Sequence, residues 1–348
     1  MSKKEIKMNS DQIHSADNDA ATETQAPDAM RIDPAMTQTL AQASLAAYND
    51  YEGKPFTPPA NYRFFARFTG WDDWIGEFGE EERFGLIFKY FGPQQIANRF
   101  IVAFRGTDSY SDMLEDAFWE WSTFKPYRNS VSPTPDDVCG GFNGIYATKG
   151  GSMSATMQQQ IFSLLPENPS EVLITGHSLG GALSQLFTLD ISASFPNVRI
   201  RTINFASPRV GGQDWKAACD NSGATSRITR VINYYDYVPD FPQMIVDNYV
   251  SIGTEFQTAF YGPDWGILDE LPRHRLLNLM TVVSHCLWLP SQIWVGNFWD
   301  AVKPNYLMKS VAPPDVSKDE IIAKLRELHE LEISTRAAES RTIPLIQS

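Results

Sequence analysis

The sequence contains few cysteines for its length. Only three occur in 348 residues, namely Cys139, Cys219 and Cys286. A small secreted scaffold held together by disulfides has an even and denser set. No Cys-x-x-Cys pair or Cys/His cluster offers the four ligands of a zinc site. The sequence therefore disfavours both a fold held together by disulfides and a zinc site. No metal or organic cofactor is expected.

Long apolar runs are also missing. No stretch reaches the roughly 18 apolar residues of a membrane span, so no transmembrane segment is predicted. The first residues are basic (MSKKE), but no apolar stretch follows them as it does in a secretory signal peptide. A cytoplasmic location is the default expectation, and signal-independent export would look the same in the sequence.

Basic residues are in the minority. The chain has 29 Lys and Arg against 42 Asp and Glu, a net charge of −13. This acidity disfavours nucleic acid and anionic membranes as partners, although it says little about a neutral lipid. With 43% hydrophobic residues, the length fits one α/β domain of about 250 residues plus tails.

Composition divides the chain into three parts. Residues 1–33 are polar and without aromatics, and are predicted to be a disordered tail. Residues 34–312 form the predicted domain. Residues 313–348 hold a predicted amphipathic helix at 317–338, whose apolar positions are Ile321, Leu325, Leu328 and Leu331.

Strand and helix patterns alternate through the domain. A helix is predicted near residues 37–48, and another at 179–191. The predicted strands are 63–68, 84–91, 100–104, 171–175, 198–205 and 228–235. Such alternation is typical of the α/β class with a mostly parallel central sheet flanked by helices.

A nucleophile motif lies between the strand at 171–175 and the helix that follows. Gly176-x-Ser178-x-Gly180 fits the G-x-S-x-G pattern, in which a strand turns sharply into a helix and leaves the serine at the apex. Only small residues fit beside such a turn. Ser178 is the predicted nucleophile, and His177 is interpreted as a structural histidine because it would point away from Ser178.

Several further segments resemble those of one family. In chain order they are VAFRGT at 102–107, VCGGF at 138–142, TGHSLGGAL at 175–183, FASPRVG at 205–211 and NYYDYVP at 233–239. This order resembles the class 3, or fungal-type, lipases of the α/β-hydrolase superfamily over residues 37–290. The resemblance implies an α/β-hydrolase fold. One departure is Cys139, where the family often has a histidine that is not catalytic.

A serine nucleophile needs a histidine base and a carboxylate that orients the histidine. Asp236 is the predicted acid because it follows an apolar strand and comes after Ser178 in the order Ser, Asp, His. Asp240, displaced beyond Pro239, is its rival and is interpreted as a solvated loop residue.

Five histidines limit the choice of base. Two lie in the predicted tails and one inside the motif, namely His14, His329 and His177. His285 is the predicted base, since VVSHCLW resembles the His-Leu-Trp ending of fungal members with Cys286 inserted. His274 is the alternative. Its two flanking arginines favour a solvated surface position.

The remaining catalytic parts follow from chemistry and resemblance together. The backbone N–H of Leu179 would donate to the oxyanion, and Thr107 would add its own N–H and, as the family implies, its hydroxyl. Residues 108–140 occupy the place of the family's lid. Leu114, Phe118 and Trp121 share one helical face there, and a helix packed permanently on the body is the alternative.

The sequence therefore predicts a lipase that cleaves acylglycerol or other fatty-acyl esters through an acyl-enzyme on Ser178. An esterase for feruloyl or phospholipid esters is the nearest alternative. An acyltransferase using the same triad, or a lipase-like interaction or effector protein without turnover, also stays open.

Overall fold

The computed structural model describes residues 33–72, 79–93, 98–107, 120–233, 236–242, 248–258, 274–277 and 279–280. The predicted tail, apart from Asp33, and the predicted C-terminal helix lie outside these residues. Among the helices within these ranges, none combines the length and the apolarity that a membrane crossing requires.

The first helix, α1 (Pro34–Tyr51), confirms the prediction at residues 37–48 and extends it at both ends. The carboxylate of Asp33 accepts the N–H groups of Ala35 and Met36 at 2.9 and 3.1 Å, so it caps the helix. Pro34 suits the first turn because no intrahelical acceptor is available to an N–H there. Asp33 therefore belongs to the folded domain and not to the tail.

Nine strands occur in the described ranges: β1 (Tyr62–Asp72), β2 (Glu80–Tyr90), β3 (Arg99–Phe104), β4 (Trp121–Ser122), β5 (Val138–Cys139), β6 (Glu171–Gly176), β7 (Arg199–Phe205), β8 (Ile228–Asn233) and β9 (Thr254–Thr258). Seven of them form one sheet in the order β1-β2-β3-β6-β7-β8-β9. The pairs β1-β2 and β2-β3 are antiparallel, and every pair from β3 to β9 is parallel. The predicted mostly parallel sheet is confirmed.

The described ranges also contain four more α-helices: α2 (Gly140–Ala147), α3 (Met157–Leu164), α4 (Leu179–Ser194) and α5 (Gln213–Asn221). The helix predicted at 179–191 is α4, which is buried along almost its whole length. Its polar side chains are buried as well and find partners, as does Thr188, whose hydroxyl lies 2.6 Å from that of Thr202 in β7.

Successive side chains of the central strands point to opposite faces of the sheet, so the core has two parts, one on each face. In β3, Phe100 and Val102 pack with α2, α3 and α4, whereas Ile101 and Ala103 pack with α1. Leu173 in β6 likewise faces the α1 side. Strands buried on both faces are typical of parallel sheets covered by helices, which explains why these segments are almost wholly apolar.

Residues 120–140 are part of the body and not of a lid. Their strand β4 pairs with β5, and the Trp121 ring stacks on Tyr249 with the ring centroids 4.3 Å apart. Phe124 is fully buried in the core. The predicted helical face through Trp121 is therefore wrong, because Trp121 lies in a strand. The rest of the predicted lid, residues 108–119, lies outside the described residues.

A buried carboxylate ties residues 120–140 to α4. Asp190 accepts hydrogen bonds from the Tyr127 N–H at 2.6 Å, the Tyr146 hydroxyl at 2.8 Å, the Gln158 amide at 2.6 Å and the Ser194 hydroxyl at 3.1 Å. Burial raises the pKa of Asp190 to about 6, although these donors oppose the rise. Four donors on one carboxylate make this a structural anchor.

Candidate active site

Ser178 sits at a sharp turn between β6 and α4. Its backbone has φ +56° and ψ −127°, which is unfavourable for a residue with a Cβ and costs about 1–3 kcal/mol. The Ser178 N–H donates to the carbonyl of Phe205 at 3.0 Å and holds the turn against the end of β7. This is the strained nucleophile elbow that the motif predicts.

The two motif glycines are required by close backbone contacts. A Cβ at Gly176 would lie 2.0 Å from the carbonyl oxygen of Gly180. A Cβ at Gly180 would lie 2.5 Å from the carbonyl oxygen of Arg105, which belongs to the neighbouring strand end. The glycines therefore let the turn close on itself and against β3.

We expect Gly176→Ala to destabilise the protein by about 3 kcal/mol or more, because the clashing atoms are backbone and cannot move aside. Gly144, within α2, is the matched control, since a Cβ there meets no atom within 4 Å. Gly144→Ala should stabilise the protein by about 0.5–1 kcal/mol. Urea unfolding of both variants measures the difference, and a wild-type midpoint for Gly176→Ala would contradict the packing described.

The end of β3 lies beside the elbow. Strands β3 and β6 are parallel, with Phe104 opposite Gly176, so residues 105–107 and 177–179 leave the sheet side by side. A Cβ at Gly106 would lie 3.0 Å from the Ser178 Cβ and 2.6 Å from the His177 carbonyl oxygen. Gly106 thus brings the loop after β3 against Ser178.

This arrangement suits the predicted oxyanion donors. Leu179 is the first residue of α4, and an N–H in that position has no acceptor within its own helix. The helix N-terminus also favours negative charge. Thr107 follows Gly106 on the adjacent loop and is partly buried. The roles of Leu179 and Thr107 stay predictions.

Arg105 fixes the loop that follows β3, a role that sequence reasoning did not assign. Its guanidinium donates to the carbonyl oxygens of Arg83 and Gly106, each at 2.9 Å, and pairs with the Glu82 carboxylate. The charge also lies over the ring of Tyr51, 3.8 Å from its centroid. The FRGT segment was the only sequence signal for this residue.

Asp236 lies just past the end of β8, as predicted, and is 2% exposed. Its Oδ1 accepts the Val238 N–H at 3.0 Å, and its Oδ2 bonds the Nδ1 of His274 at 2.8 Å. A buried carboxylate on the Nδ1 of a histidine is the acid–base pair that a serine nucleophile needs.

His274 is thus the histidine that the structure pairs with Asp236. It is 9% exposed, so the surface position expected from its flanking arginines is wrong. Its ring centroid lies 4.6 Å from that of His177, the residue before Ser178. His285, the predicted base, lies outside the described residues.

Two arginines hold the loop that follows Asp236, residues 237–242, in place. Arg209 donates to the Asp240 carboxylate at 3.1 Å and to the Tyr249 carbonyl at 3.2 Å, so it steadies the loop after Asp236. The buried Arg230 donates to the Pro239 carbonyl at 3.1 Å. Asp240 therefore forms an ion pair and is not simply solvated.

The sequence model of the family described as "Lipase (class 3)" matches residues 101–246, which run from β3 past Asp236. The chain is 28% identical over 178 residues to the chloroplastic phospholipase A(1) DAD1 of Arabidopsis thaliana, covering 47% of this chain and 38% of that protein. It is 26% identical over 227 residues to the lipase ZK262.3 of Caenorhabditis elegans, covering 64% and 59%.

The chain thus spans less than two thirds of the length of these relatives. Among solved structures, the Lip2 lipase of Yarrowia lipolytica aligns with a TM-score of 0.47 and 18% identity, covering 66% of this chain and 80% of that one. The family match and the strand–elbow–helix arrangement at Ser178 agree with each other. Residues 101–246 are thus similar to the class 3 lipase family, and they contain most of β3, the parallel strands β6, β7 and β8, and the turn at Ser178.

Proposed function

We propose that the protein hydrolyses carboxylic esters of lipids through an acyl-enzyme on Ser178. The observation that carries this proposal is the buried Asp236–His274 pair, 2.8 Å between Oδ2 and Nδ1, beside the elbow that presents Ser178. In this proposal His274 is the general base.

The hydrogen bond to Asp236 determines which ring nitrogen of His274 carries the proton. A carboxylate only accepts, so Nδ1 carries the proton and Nε2 has the lone pair of a base. Nε2 of His274 takes the proton of the Ser178 hydroxyl while the Ser178 Oγ attacks the carbonyl carbon of the ester. The Asp236 carboxylate stabilises the imidazolium that results.

The remaining steps use the same groups. The N–H of Leu179 and the donors of Thr107 stabilise the negative oxygen of the tetrahedral intermediate. The C–O bond to the alcohol breaks, and the imidazolium of His274 protonates the departing alcohol. Water then attacks the acyl-enzyme with His274 again as base, releasing the fatty acid and restoring Ser178.

For the substrate, we propose the fatty-acyl esters of glycerolipids. The relatives are named as a lipase and a phospholipase, and the acidic chain does not oppose a neutral or zwitterionic lipid. Residues 108–119 follow Thr107 directly and carry Met113, Leu114, Phe118 and Trp119. We propose this shorter segment as the lid.

Fatty acid release from three substrates tests the proposal: a triacylglycerol emulsion, phosphatidylcholine vesicles and a soluble p-nitrophenyl butyrate. A lipase releases acid fastest from the emulsion, and a phospholipase from the vesicles. Ser163→Ala, which alters an exposed serine on α3, is the control and should behave like the wild type. A folded wild type that cleaves none of the three would overturn the proposal in favour of a non-catalytic role.

A further inference from the structure

The side chain of His177, the second residue of the elbow motif, joins two other segments. It is 6% exposed. Its Nε2 lies 2.7 Å from the backbone carbonyl oxygen of His274, and its Nδ1 lies 2.8 Å from the hydroxyl of Tyr48 on α1. The elbow is thereby bonded directly to the turn that carries the proposed base.

The two hydrogen-bond partners of His177 determine which of its ring nitrogens carries the proton. A carbonyl oxygen only accepts, so Nε2 must carry the proton and donate it to His274. Nδ1 is then an acceptor, and the Tyr48 hydroxyl donates to it. Burial and the nearby His274 hold the pKa of His177 well below its ordinary value, so the ring stays neutral beside a base that becomes charged in each cycle.

Tyr48 also touches the oxyanion loop. A Cβ at Gly106 would lie 2.2 Å from the Tyr48 hydroxyl oxygen, so this hydroxyl packs directly against the loop that precedes Thr107. The hydrogen bonds from Tyr48 to His177 and from His177 to the His274 carbonyl form a relay. This relay runs from α1 through the elbow to the turn of His274, beside the loop that follows β3.

We propose that Tyr48 and His177 are positioning residues that set the His274 backbone at a fixed distance from the Ser178 elbow. Asp236 fixes the orientation of the His274 ring at Nδ1, and His177 fixes its main chain. Both restraints are needed to aim Nε2 at the nucleophile. The inference rests on the proposed function, in which His274 is the base.

Three variants separate the parts of this relay. His177→Leu removes both hydrogen bonds and should lower kcat on p-nitrophenyl butyrate by about 100-fold, as expected for a displaced catalytic group. His177→Gln keeps an N–H donor near the position of Nε2 and should recover most of that loss. Tyr48→Phe should lower kcat by about tenfold, with KM changed less than about threefold in all three.

Tyr146→Phe is the matched control, since it also removes a buried tyrosine hydroxyl, bonded to Asp190 at 2.8 Å and outside the relay. Rates are normalised to the folded fraction measured by circular dichroism. The control should lose stability and keep the wild-type kcat. If the relay variants behave like Tyr146→Phe, or if glutamine rescues no better than leucine, the relay is overturned.

His274→Ala, measured alongside, distinguishes failure of the relay from failure of the proposed function. An inactive His274→Ala with unaffected relay variants overturns the relay alone. An active His274→Ala removes His274 as the base, so the relay falls together with the role that the proposed function gives to His274. Loss of activity in His274→Ala together with the graded losses at His177 and Tyr48 supports both.

Discussion

Replacing Ser178 with alanine is expected to lower kcat on p-nitrophenyl butyrate by roughly 10⁴- to 10⁶-fold, the range seen when a triad nucleophile is removed. The reason is that Ser178 carries the nucleophilic hydroxyl of the proposed mechanism, at the apex of a turn with φ +56°. Steady-state kinetics with purified protein measures the loss.

The variant should fold, since alanine lacks only the hydroxyl of serine. It should also keep some rate above that of the uncatalysed reaction, because the oxyanion donors remain. Ser163→Ala provides the control for a serine lost elsewhere. Hydrolysis by Ser178→Ala at more than about one tenth of the wild-type rate would be incompatible with an acyl-enzyme on this residue.

The second large effect is expected at His274. The variant lacks the imidazole that pairs with Asp236 and accepts the Ser178 proton in the proposed mechanism, so kcat should fall by about 10⁴-fold or more. Asp236→Asn should cost about 10⁴-fold, since the amide favours the wrong tautomer. Both variants are assayed on the same soluble ester, at several pH values.

His285→Ala is the comparison that decides between the two histidines. If His285 proves essential while His274→Ala remains active, His285 is the base, as predicted from the sequence. The hydrogen bond between His274 and Asp236 then takes no part in catalysis. If His274 alone is essential, the pairing in the structure identifies the base.

Much of the fold could be predicted because strand and helix patterns are local. The apolar runs of β3 and β6 and the helix after Ser178 could all be recognised from their own residues. The predicted boundaries differ by a few residues from those of the structure, as at α1, where Asp33 caps a helix that begins at Pro34. Capping depends on side-chain geometry that periodicity does not show.

The site was predictable only where a motif marks it. Ser178 and Asp236 each stand in a recognisable segment. His274 does not, since its neighbours Arg273 and Arg275 suggest a surface, and its burial arises from contact with Asp236 and His177. Such long-range contacts leave no pattern in the flanking sequence.

The lid prediction failed in part for a related reason. Trp121 keeps helical spacing with Leu114 and Phe118, but its backbone pairs with Cys139 and its ring stacks on Tyr249. Tertiary contacts overrode the local periodicity. Arg105 and Tyr48 were likewise missed, because their partners at the site lie in other strands and loops.

The central claim, that Ser178 is the nucleophile, is tested most directly by covalent labelling. The protein is treated with diethyl p-nitrophenyl phosphate, and the site of modification is mapped by peptide mass spectrometry. We expect one diethylphosphoryl group on Ser178, formed in step with the loss of esterase activity and absent from Ser178→Ala. A fully inhibited protein labelled at another residue, with Ser178 unmodified, would contradict the account.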